Sequence, residues 1–128
     1  LAESSLSPAD ESPVIAEIKA DMAAFDADAS VTTIGILSWA SAQLIIDALP
    51  LIEGDVTPEA LLAALLSLEN APAGGAVHPV TAEVIDNPLF SHFFNPWALL
   101  YRITDGVPAR ITEDYFSTTE VLQQASMS

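Results

Sequence analysis

The sequence has no cysteine, which excludes disulfides and thiolate metal sites and leaves the redox compartment unread. Positive charge is almost absent. Lys19, Arg102 and Arg110 stand against 18 acids, for a net charge of −15. A field of that sign repels polyanions, so neither nucleic acid nor an anionic membrane surface is an expected partner. The acidity has two readings: a solubility surface for salty surroundings, where self-repulsion is screened, or a surface for cations or a basic partner. No signal-peptide pattern is visible, and Leu1 is not an initiator methionine, as expected of a processed or excised chain.

What the chain has in quantity is apolar side chain, 51% of 128 residues, mostly aliphatic residues and alanine. That composition predicts a packed, helix-rich domain rather than disorder. The longest apolar stretch, from Val31 to Ile52, is interrupted by Gln43, Asp47 and Pro50 and has no flanking Lys or Arg. An unpaired acid near the centre of a membrane span costs about 2.5 to 3.5 kcal/mol, so a buried soluble helix is expected there.

Residues 1–12, rich in Ser, Asp, Glu and Ala, read as a flexible lead-in. Ser12-Pro13 starts a helix, with a capping hydroxyl and proline at the first helical position. Ile15, Ile18, Met22 and Phe25 form its apolar face, and it is expected to end near Asp28. The β-branched run Val31 to Ile34 suits a short strand or an extended link. A second helix from about Leu37 to Leu49 is apolar over most of its circumference and is expected to be buried on more than one side. Thr57-Pro58-Glu59 opens a third helix, with Leu61, Leu62, Leu65, Leu66 and Leu68 as its core face. Asn70 to Gly75 ends it and begins a long loop. Val80 to Ile85 is a weak strand candidate. Trp97 to Thr104, the turn Asp105-Gly106 and Val107 to Ile111 form a hairpin, with Pro108 marking an edge. A short helix is expected around Glu120 to Ala125.

Catalytic groups are not grouped. His78 and His92, with Asp86 between them, match no compact zinc spacing. The pairs Asp26/Asp28 and Glu113/Asp114 lack the alternating oxygen ligands of a calcium loop, and Gly74-Gly75 is followed by neither a lysine nor a helix start. No serine lies in a nucleophile-elbow pattern. The aromatics Trp39, Phe90, Phe93, Phe94 and Trp97 suit core or interface packing better than ligand stacking. The residues therefore predict no enzyme, no metal and no cofactor.

Ser38-Trp39-Ala40-Ser41-Ala42 is followed by Thr57-Pro58-Glu59-Ala60-Leu61-Leu62-Ala63-Ala64-Leu65, then by Gly74-Gly75, His78-Pro79-Val80-Thr81 and Leu99 to Gly106. This order of features resembles the late section of the branched-chain amino-acid receptors, type I periplasmic solute-binding proteins of ABC importers. It covers roughly residues 12 to 116. The resemblance implies an α/β fold in which this chain is part of one lobe, helix-rich with a short C-terminal β-hairpin. Residues 13–96 would be the helical part of the first lobe, 97–116 a hairpin returning to the second, and 117–128 a C-terminal tail. It further implies an extracytoplasmic protein that binds a small solute such as an amino acid by lobe closure and meets a membrane permease through the complete protein. Most ligand-contacting loops of such a receptor lie upstream of this stretch; Ser38 and Trp39 are the only ligand-binding candidates here. The alternative expectation is a small acidic structural or interaction domain that self-associates through the aromatic loop from Phe90 to Trp97.

Overall fold

The computed structural model describes residues 1–82 and 95–120. Strand β1 spans Ala2–Glu3, followed by helices α1 (Pro13–Phe25), α2 (Thr33–Ala48) and α3 (Pro58–Leu66). Strands β2 (Trp97–Thr104), β3 (Val107–Arg110) and β4 (Phe116–Ser117) complete the described elements. The architecture is mixed helix and sheet, α/β in the broad sense, with an antiparallel sheet centred on β2.

Each helix starts where a hydroxyl meets orphan backbone donors. Ser12 Oγ accepts from the Ile15 amide, Thr32 Oγ1 from Gly35 and Thr57 Oγ1 from Ala60. Thr32 explains why α2 begins earlier than its apolar pattern suggests: the expected strand or link at Val31 to Ile34 is only an extended cap, and Thr33 is already helical. Asp26 ends α1 three residues after Ala23, in an extended conformation, and its Oδ1 accepts the Asp28 amide in an Asx turn. Phe25 therefore sits at the end of the helix and is 96% exposed, not on the buried face that its spacing predicts.

The hairpin matches its sequence signature. Asp105 and Gly106 have φ of 52° and 80°, the two positive values of a type I′ turn, and Thr104 pairs with Val107. In that register Ile103 opposite Pro108 is a non-hydrogen-bonded pair, so the nitrogen of Pro108 faces outward. The outer edge lacks a donor there, which blunts it against further strand pairing. Only the first part of β2 enters the core: Ala98, Leu99 and Tyr101 are buried, while Arg102, Ile103 and Thr104 are exposed.

The segment before α1 is not a loose lead-in. Ala2 and Glu3 pair with Leu100 and Leu99, Ser5 bridges to Val77, and the Leu6 amide donates to the Ala76 carbonyl at 2.9 Å. Its polar composition conceals a buried stretch, Ser5-Leu6-Ser7, because backbone pairing satisfies what the side chains do not advertise. The main core joins Leu6, Ile15, Ile18, Ile36, Leu99 and Tyr101, and a smaller cluster joins Ala48, Ala64, Leu68 and Ala71.

α2 departs most from expectation. The helical stretch Thr33–Leu51 is long and apolar enough by composition to cross a bilayer, yet only 17% of its most apolar window is buried within the chain. Ile36, Ala40 and Ala48 face inward, whereas Ile34, Ile45, Ile46 and Leu49 are exposed. The third helix behaves likewise: Ala64 is buried and Leu68 just beyond it, but Leu62 and Leu66 are exposed. Periodicity marks which faces are apolar, not what covers them.

Val80 pairs with Ala71 only as an isolated bridge. Thr81 and Ala82 continue the chain outside any strand, and residues 83–85 of the strand candidate, His92, Asp86, the Phe90 to Phe94 part of the aromatic loop and most of the expected C-terminal helix lie outside the described residues.

Candidate functional site

The two candidate ligand-binding residues are neighbours on α2 with different surroundings. Ser38 is exposed. Trp39 is half-buried and occupied within the chain: its indole N–H donates to Asp21 Oδ2 at 3.0 Å, tying α2 to α1. Its ring edge lies on Gly74, where a Cβ would collide with Cζ3 and Cη2 of the indole. Gly74 has φ of 68°, so its lack of a side chain serves both the turn and the close approach. Gly74 is thus a seat for Trp39, while Gly75 lies against Val14. Asp47, the only charge within α2, is also bound within the chain, its Oδ2 accepting the Ala73 amide at 3.1 Å.

A second cluster joins the loop to the sheet. His78 stacks on Trp97 with ring centroids 4.0 Å apart and planes 8° from parallel, and Tyr115 meets His78 edge-on at 5.6 Å. Nδ1 of His78 lies 2.9 Å from the Pro79 carbonyl, which can only accept, so Nδ1 carries the hydrogen in that contact. The Tyr115 hydroxyl donates to the Ala76 carbonyl at 3.4 Å. Burial pushes the Tyr115 phenol up to about 12, slightly offset by Arg110. Trp97, which the interaction reading placed in a self-associating loop, is therefore already stacked inside the chain.

The third cluster was not anticipated as a unit. The Tyr101 hydroxyl donates to Asp10 Oδ2 at 2.6 Å, and the Ser7 amide donates to that same oxygen at 2.7 Å and to the phenol oxygen at 3.1 Å. Burial first, then donation to Asp10, holds the Tyr101 phenol well above the usual tyrosine range. A local signal was present. Ser7-Pro8-Ala9-Asp10 has proline at the second position of a turn and an acid three residues after a serine, and the Asp10 amide closes back on the Ser7 carbonyl at 2.9 Å. Nothing local points to Tyr101, which lies 91 residues away.

No group of three potential metal ligands occurs among the described residues. Among the described residues, several concave surfaces are open to solvent. One of about 400 Å³ is lined by Asp47, Leu51, Ser67 and the Leu68 to Pro72 turn; another of about 510 Å³ lies along Pro8 to Lys19. Ser38 and Trp39 line neither. Comparison with protein-family models, with curated proteins and with solved structures finds no match.

Proposed function

We propose that the chain is part of an extracytoplasmic solute-binding protein of an ABC importer, contributing helices of one lobe and a hairpin of the other. The supporting observation is the pair α2 and α3, whose apolar residues Ile45, Ile46, Leu62 and Leu66 stand exposed, with Leu49 exposed just beyond α2. Helices this apolar belong against a sheet or a further helical layer, and a lobe deprived of its central strands would leave them so. The hairpin about Asp105-Gly106 and the capped start of α3 at Thr57 agree with the order of motifs that carries the resemblance.

On this reading the complete protein closes its lobes on a small solute, such as an amino acid, and presents it to a membrane permease. Affinity would come from the desolvated, hydrogen-bonded closed state. Ser38, exposed in the second turn of α2, remains the candidate contact, while Trp39 would act through its hold on Asp21 and Gly74. The test is a thermal-shift panel of amino acids on the protein made from the complete reading frame. A bound solute at 100 times its Kd stabilises by about 2.7 kcal/mol, several degrees in Tm. No shift with any member of the panel, or a reading frame that adds no further lobe, rejects the reading.

The exposed helices also favour a second reading, a small acidic interaction domain that covers its apolar surface by self-association. Native mass measurement separates the two: a discrete homo-oligomer of the 128-residue chain favours the second.

A further inference from the structure

We draw no further inference here: the strongest candidate, the exposed apolar surface of α2 and α3 around Ile45, Leu49, Leu62 and Leu66, already supports the proposed function, and nothing in the structure shows what else covers it.

Discussion

Gly74 is the residue on which two distant segments meet, because the Trp39 ring takes the space a side chain would need. Gly74→Ala adds backbone strain at φ of 68° to a steric collision, so a loss of at least about 2 kcal/mol is expected in urea unfolding. Gly54→Ala is the control. It shares a positive φ but has open space around the site, so only the strain, about 1 kcal/mol, should appear. Equal losses in the two variants would refute the seat assigned to Trp39. The buried tyrosines make a second prediction at this scale. Tyr101 and Tyr115 are both raised in the folded state, so their neutral forms favour folding. That contribution is complete below pH 10, the ordinary phenol value, and is lost as pH rises through the folded values. The urea midpoint should therefore fall above pH 10, and Tyr101→Phe with Tyr115→Phe should flatten the fall. The chain has one lysine and no cysteine, so few other groups contribute to that limb.

At the scale of elements, what could be read from sequence was what neighbours in the chain decide. Ser12-Pro13, Thr57-Pro58 and Asp105-Gly106 each satisfy or bend their own backbone, and each element begins or turns where those residues stand. The cap at Thr32 belongs to the same class but was hidden inside a β-branched run. Thr32→Ala should cost about 1 kcal/mol and fray the start of α2, visible as faster amide exchange at Gly35 and Ile36. Unchanged exchange there would mean that packing of Ile36, rather than the cap, sets the boundary. What could not be read depends on partners far along the chain. Burial of Ser5 to Ser7 needs Val77, Ala76 and Tyr101, and the placement of Trp39 needs Asp21 and Gly74. The exposed side of α2 was illegible for a different reason: an apolar face has the same sequence whether or not anything lies against it.

At the scale of the molecule, charge and apolar exposure pull in opposite directions. A net charge of −15 keeps copies apart and strains each folded copy, since no Lys or Arg lies between Lys19 and Arg102 to offset the acids of the helical region. Screening should therefore stabilise the fold. The Debye length falls from about 30 Å at 0.01 M salt to about 3 Å at 1 M, so repulsion between separated acids is nearly removed across that range. If the self-repulsion relieved is worth even about 1 kcal/mol, Tm should rise by roughly 4 °C in sodium chloride. Salt also strengthens apolar burial to some degree, so the charge contribution needs its own variant. Glu53→Gln, Asp55→Asn and Glu69→Gln together remove three exposed charges without touching the described core. This variant should raise Tm at low salt and reduce its dependence on salt. A variant whose salt response equals that of the parent would assign the effect to apolar burial alone. The same titration, followed by light scattering, reads the opposing force: as repulsion is screened, the exposed leucines of α3 and isoleucines of α2 become free to meet, so association should rise with salt. Leu62→Gln with Leu66→Gln should suppress that rise at a cost of a few degrees in Tm, because both side chains are a little over half exposed and the rest of each is packed.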